Sequence, residues 1–261
     1  MRVVLTALLV VTVVACTTSP TGRRQLQLFP EEQMAEMGVT AFAQMQEKVP
    51  VAQDKGVQAY VECVADAITR QLPEQREWEV KVFKDDSANA FALPGGKIGV
   101  HTGLLTVAET PAQLAAVIGH EVGHVIAQHS NERMSTAFAT DAGLQIAGAL
   151  AGADGSQGKQ LAMAALGLGA QFGVLLPFSR TQESESDQIG LQLMAQAGFD
   201  PQEAVTLWQN MMKSQGDGPP EFLSTHPSGA SRIERLQEQM PEAMKLYQQA
   251  RAAGRKPNCS P

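Results

Sequence analysis

The chain has 261 residues, of which 44% are hydrophobic, a length that suits one sizeable domain with its own core. Its formal net charge is −7 and it carries no basic block, which excludes a nucleic-acid partner. No internal repeat is evident.

In chain order, Met1 and Arg2 precede an apolar run over residues 3–14 and then Ala15-Cys16. A charged start, a short apolar stretch and a small residue before a cut are the parts of a secretory signal. The run is too short for a comfortable membrane span. Val13-Val14-Ala15-Cys16 resembles a bacterial lipobox. The expected division is therefore a signal peptide at 1–15, a lipidated N-terminus and tether at 16–26 with the lipid on Cys16, and the main domain at 27–261. Thr17, where a retained lipoprotein has Asp, implies the outer membrane, facing the periplasm. Residues 20–24, Pro-Thr-Gly-Arg-Arg, read as flexible chain. Cys63 and Cys259 remain; in an oxidising compartment they predict one disulfide that ties the C-terminal tail to an early helix.

Residues 30–48 and 54–71 read as amphipathic helices. Residues 77–83 alternate Val80 and Val82 with Glu79 and Lys81, the period of a strand. Residues 89–93 and 97–101 flank Pro94-Gly95-Gly96, a hairpin signal. Residues 114–128 follow as an apolar helix. Residues 134–153 and 161–177 are rich in Ala, Gly and Leu but are interrupted by Asp141, Gln145 and Gln171. They read as buried or lid-like helices framing a cleft rather than as membrane spans. Asp200-Pro201-Gln202-Glu203 is a helix start, with Asp as cap and Pro in the first turn, and the helix runs to about Met212. Residues 216–220 form a loop, and 231–239 and 241–252 close the chain as two helices. The fold class is α+β, mainly helical, with a small sheet.

The helix at 114–128 contains His120-Glu121-Val122-Gly123-His124. Positions four apart lie within roughly 40° and about 6 Å of one another on a helix, so both imidazoles face one point. Neutral imidazole nitrogens suit Zn²⁺, and Glu121 reaches a water on the metal without being a ligand. The flanks Leu114, Val117, Ile118, Val122, Val125 and Ile126 are apolar nearly all round, so the helix is buried and its polar groups need partners. Gly119 and Gly123 are poor helix formers, and close approach of another element accounts for them. The third ligand is sought in residues 179–187, where Glu183 and Asp187 share a helix face and Glu185 points away. Glu183 is assigned to the metal and Asp187 to orienting one ligand histidine. The competing reading is a solvated acidic helix start. An extended three-histidine motif would need Gly at 127 and His at 130; the chain has Ala127 and Ser130. His129 is rotated by about 140° from His124 on a continuous helix and reads as an ordinary polar residue near the helix end.

These residues, with Ser179-Arg180 before Glu183, Ile189-Gly190, Ala197-Gly198-Phe199-Asp200-Pro201, Asn89-Ala90-Phe91-Ala92, Thr102-Gly103-Leu104-Leu105 and Thr225-His226-Pro227, resemble the HtpX-like and CAAX-prenyl-protease-like zinc metallopeptidases, a gluzincin family. The nearest branch is that of the LoiP-like periplasmic lipoproteins. The resemblance covers about residues 27–245. Ser184-Glu185-Ser186 departs from the family, which often has an aromatic and an alanine there. The resemblance implies a zincin-type metallopeptidase domain over 27–261 with one Zn²⁺ per chain. It also implies a sheet edge beside the metal, so that Asn89, Ala90, Phe91 and Ala92 hold substrate backbone. His226 stands in a loop; it closes the fourth metal position in a latent form, stabilises the oxyanion, or only packs. Arg232 is a candidate partner for a carboxylate near the site. The implied activity is an endopeptidase of the cell envelope with Glu121 as general base. Its implied substrates are misfolded or unassembled outer-membrane proteins, with the membrane, through Cys16, and the outer-membrane assembly machinery as candidate partners. The alternatives are a periplasmic chaperone or assembly factor with a marginal site, and a lipoprotein whose zinc is purely structural.

Overall fold

A computed structural model describes residues 16–150, 178–213, 221–226 and 231–260. The expected signal peptide at 1–15, the last three residues of the segment at 134–153, the segment at 161–177, the loop at 216–220 and Pro227 lie outside them. The described elements are β1 (Cys16–Thr18), β2 (Arg24–Leu26), α1 (Glu31–Lys48), α2 (Lys55–Thr69), β3 (Glu79–Phe83), β4 (Ala90–Leu93) and β5 (Lys97–His101). They continue with α3 (Pro111–Ile126), α4 (His129–Leu150), α5 (Arg180–Ala197), α6 (Gln202–Lys213), α7 (Glu221–Thr225) and α8 (Ser231–Ala252). The protein is mainly helical with a small sheet.

That sheet has the order β3-β5-β4, with β3 parallel and β4 antiparallel to β5. Its alternating side chains separate two cores. Val80, Val82, Ala90, Ala92, Ile98 and Val100 join the main cluster with Val61, Val64 and Ile68 of α2 and Leu114, Val117 and Ile118 of α3. Phe83, Phe91 and Leu93 turn to the opposite face and meet Phe42 of α1. Each fully buried Val, Ile or Phe contributes about 1.5–3 kcal/mol, so α2 and α1 clamp the sheet from both sides. β4 is an edge strand in the described sheet. Asn89 O accepts from His101 N at 3.0 Å, so Asn89 and Phe91 belong to the ladder with β5, and alternation turns the main-chain groups of Ala90 and Ala92 to the free edge.

Local chemistry sets the helix starts. Thr110 Oγ1 accepts from Gln113 N ahead of Pro111 in α3, Asp54 Oδ1 accepts from Gly56 N in α2, and Ser179 with Gln182 forms a capping box in α5. Cys63 of α2 is joined to Cys259, which fastens the C-terminal tail where the sequence placed it.

Three expectations are corrected. Residues 16–26 are not a flexible tether: β1 and β2 form a hairpin, and Arg23 fastens it to Glu132 of α4 and Glu185 of α5. The last two helices are one, with Pro241 inside α8; proline removes one N–H bond and bends a helix without having to end it when packing holds both halves. The long helix at 134–153 begins earlier, at His129, because Gln128 takes a left-handed conformation (φ 53°) and separates α4 from α3. No helix among the described residues is long and apolar enough to cross a membrane.

Candidate metal centre

Helices α3 and α5 cross at a point without side chains. A Cβ on Gly190 would stand 2.6 Å from His120 N, and one on Gly119 would stand 2.9 Å from Gly190 O. Gly123 lies equally close to Ser186, whose Oγ donates to His120 O at 2.5 Å. Ser186, part of the departure from the family pattern, thus caps a main-chain carbonyl at the crossing. The close approach brings Glu183 and Asp187 of α5 against His120 and His124 of α3.

The four ligand-type atoms of His120, His124, Glu183 and His226 lie within 4.8 Å of one another, and all four residues are buried. His124 Nε2 is 3.0 Å from His120 Nε2 and 3.4 Å from Glu183 Oε1. His226 Nδ1 is 3.2 Å from His120 Nε2 and 3.0 Å from Glu183 Oε1. His120 Nδ1 meets Asp187 Oδ1 at 2.9 Å, the orienting contact expected of Asp187. With a proton on Nδ1, His120 presents an Nε2 lone pair to the cluster. Lone pairs directed at one another across 3 Å repel unless a cation or a proton sits among them, so the donor set fits a divalent metal.

The electrostatics follow from the same packing. Burial opposes charge on His120, but the carboxylates of Asp187 and Glu183 overcome it and raise its pKa to about 9. Burial drives His124 well below its ordinary value, and the Glu183 carboxylate opposes that only in part. Glu183 is held below the usual carboxylate range by three imidazoles in spite of its burial. Arg232, which the sequence could not place, is buried beneath both carboxylates. Its Nε donates to Asp187 Oδ2 at 2.6 Å, its Nη2 donates to Glu183 Oε2, and its guanidinium lies 3.8 Å over the Trp208 ring.

Glu121 stands apart from the cluster. Oε2 accepts from Ala92 N at 3.2 Å, and Oε1 has no hydrogen-bond partner although His226 Nε2 is 3.4 Å away. Burial raises its pKa, with His226 and His120 pulling in the opposite direction. The free edge of β4 therefore runs directly past Glu121. Of the four residues read as substrate-binding, only Ala90 and Ala92 offer main-chain groups there; Asn89 and Phe91 are used in the ladder.

His226 follows α7 and is stacked on the Phe222 ring at 4.3 Å, with Phe178 at 5.0 Å on another side. The segment is fixed by Phe178 N to Thr225 O at 3.0 Å and by Phe222 N to Ala88 O at 3.4 Å. The reading of His129 is corrected. It is fully buried, and its Nδ1 is 2.8 Å from His124 Nδ1. The left-handed Gln128 swings it back, so the rotation counted along an unbroken helix does not apply. Glu185 does point away from the cluster, toward His129 and Arg23 rather than solvent. Cys16, read as a lipidation site, is exposed at the start of β1.

Residues 51–240 match the family model for peptidase family M48. The chain is similar to the mitochondrial metalloendopeptidase OMA1 of Schizosaccharomyces pombe, 43% identical over 169 residues, which are 64% of this chain and 48% of the relative. It is 42% identical to OMA1 of Arabidopsis thaliana over 192 residues, 72% of this chain and 37% of the relative. The beta-barrel assembly-enhancing protease of Escherichia coli K12 is 28% identical over 211 residues, 77% of this chain and 42% of the relative. The chain thus spans about half the length, or less, of the curated relatives it matches. These relatives correct the expected address: the mitochondrial proteases of fission yeast, Arabidopsis, budding yeast and cattle point away from an outer-membrane lipoprotein facing the periplasm. Because the family match takes in the sheet, both helices that cross at the cluster and the buried arginine beneath it, the chain belongs to peptidase family M48.

Proposed function

We propose that the protein is a zinc-dependent endopeptidase acting on extended, unfolded polypeptide, with His120, His124 and Glu183 as metal ligands and Glu121 as general base. One observation carries this reading: converging lone pairs of two imidazoles and a carboxylate lie beside a buried glutamate with an unpartnered oxygen, and a free strand edge runs past it. Zinc bound there would act as a Lewis acid and lower the pKa of a water to near neutral. Glu121, beside that position with one unpartnered oxygen, would accept the proton of the attacking water and pass it to the leaving amine. A substrate strand pairs with the outward groups of Ala90 and Ala92. In doing so it takes the Ala92 N–H and releases Glu121 Oε2 for proton transfer. Asp187 and Arg232 keep His120 and Glu183 in place.

His226 Nδ1 already faces the cluster, and Phe222 N bonds Ala88 O just upstream of the free edge. Both contacts support reading the segment as an inhibitory latch, in which His226 would take the fourth metal position and the Phe222–Ala88 bond would cover one end of the strand edge. The same contact favours a second reading, a chaperone or assembly factor whose metal site is seldom open. Misfolded proteins are the substrate class that both readings share. The finer kinship with HtpX-like and CAAX-prenyl-protease-like peptidases rests on the motifs around Asn89, Glu183 and His226.

Digestion of unfolded casein by the wild type and by Glu121→Gln separates the readings. Cleavage by the wild type that the variant loses while retaining zinc supports the peptidase. Substantial cleavage by Glu121→Gln refutes the general-base assignment, and no cleavage by a zinc-loaded His226→Ala protein favours the assembly factor.

A further inference from the structure

The two imidazoles of the HExxH motif are held in different ways. His120 leans on a carboxylate of the neighbouring helix, Asp187. His124 leans on a third imidazole, and that imidazole leads out of the site to the N-terminal hairpin. His124 Nε2 faces the cluster, 3.0 Å from His120 Nε2, while its Nδ1 lies 2.8 Å from His129 Nδ1. His129 Nε2 is 3.2 Å from Glu185 Oε2. Glu185 accepts from Thr21 Oγ1 at 2.6 Å and from Arg23 Nε at 2.8 Å. The remaining guanidinium nitrogens of Arg23 donate to Glu132 at 2.5 and 2.7 Å. His124, His129 and Glu185 are all buried.

Proton placement along this chain has one solution if His124 Nε2 is a metal-binding lone pair. Nδ1–H of His124 then donates to His129 Nδ1, and Nε2–H of His129 donates to Glu185. An imidazole relay is used where a single side chain cannot span the gap: Glu185 starts on the far side of α5 from Glu183, and the left-handed Gln128 places His129 between them. Thr21 and Arg23 then fix Glu185 from the hairpin, which lies upstream of the residues matched to the family.

We propose that His129 is a positioning residue for the metal ligand His124, and that docking of the N-terminal hairpin through Arg23 and Thr21 onto Glu185 sets how tightly the site holds its metal. This rests on the reading of His124 as a ligand. Loss of a side chain that orients a ligand typically weakens metal affinity by about 10- to 100-fold.

The test uses the full chain and zinc itself, titrated against a chelator of known affinity. His129→Leu, which keeps bulk but removes the acceptor, is expected to bind zinc about 10- to 100-fold more weakly than the wild type. His129→Asn, whose Oδ1 can stand where Nδ1 stood, is expected to regain most of that loss. Arg23→Gln, changed at the far end of the relay, acts on the ligand only through Glu185 and His129 and is expected to weaken zinc binding by less than that scale, roughly threefold or more. With cobalt in place of zinc, the visible ligand-field bands should shift in His129→Leu and return in His129→Asn. Wild-type affinity in His129→Leu, even with a lowered melting temperature, would make His129 merely structural and overturn the proposal. If His129→Leu does not fold, wild-type affinity in Arg23→Gln overturns the hairpin's role, and weakened zinc binding by Arg23→Gln beside near-wild-type binding by His129→Asn upholds it. Failure of the underlying reading looks different: the wild type would bind zinc no more tightly than His124→Ala, and the proposal would fall with it.

Discussion

Replacing Arg232 by Met tests whether the carboxylates under the cluster depend on one guanidinium. Arg232 is fully buried, bonds Asp187 and Glu183 at once, and covers Trp208. Methionine keeps much of the packing but removes the guanidinium from both carboxylates, leaving His120 to face the two of them. Removing one partner of a buried ion pair costs about 3–5 kcal/mol, because the other charge stays desolvated. Against a total stability of about 5–15 kcal/mol, that is a large fraction. Zinc compensates Glu183 but not Asp187, so the zinc-loaded variant should lose less, about 1–3 kcal/mol. Urea denaturation followed by circular dichroism, with chelator and with saturating zinc, gives both numbers. A loss below about 1 kcal/mol in the chelated protein, or an equal loss in both forms, would refute the claim that Arg232 neutralises this pair. Arg232→Lys should restore only part of the difference, since an ammonium cannot bridge two carboxylates as a planar fork does.

Further outcomes are expected. The folded-state pKa of His120, about 9, lies above its ordinary 6.5. In the metal-free chain its proton therefore stabilises the fold fully below pH 6.5, and that contribution is lost as pH rises through 9. Zinc must displace this proton, so apparent zinc affinity should rise by up to about tenfold per pH unit across that window; a flat profile, corrected for the chelator, would contradict it. Gly190→Ala forces a methyl to within 2.6 Å of His120 N, so α5 must move off α3. A loss of about 1–3 kcal/mol and weakened zinc binding are expected, and an unchanged melting temperature would show that the crossing has slack. His226→Ala should raise basal cleavage of unfolded protein if the segment is a latch; an unchanged rate would remove that role.

Much of the centre was legible because its geometry is local. His120 with His124 and Glu183 with Asp187 are pairs four residues apart on helices, and helical rotation alone assigns their faces. The Asp200 turn before α6 and the Pro94-Gly95-Gly96 hairpin are equally local. The glycines of α3 announced a close neighbour, and that neighbour is α5, with Gly190 against Gly119 and Ser186 against Gly123. What stayed hidden depends on one residue's backbone or on distant partners. Gln128 leaves the helical region without being glycine, so counting rotation misplaced His129. Arg23 and Glu185 are 162 residues apart, and nothing periodic marks an arginine in a Pro-Thr-Gly-Arg-Arg stretch as an anchor. Pro241 suggested a break, yet packing of α8 against α5 and α6 carries the helix through it.

The most direct measurement is zinc stoichiometry coupled to cleavage. The purified chain should bind one zinc, lose casein cleavage when a chelator removes it, and recover cleavage when zinc is restored, while His120→Ala, His124→Ala and Glu183→Ala each lose both metal and activity. Cleavage that survives complete removal of the metal, or tight zinc binding that persists in all three variants, would contradict the account.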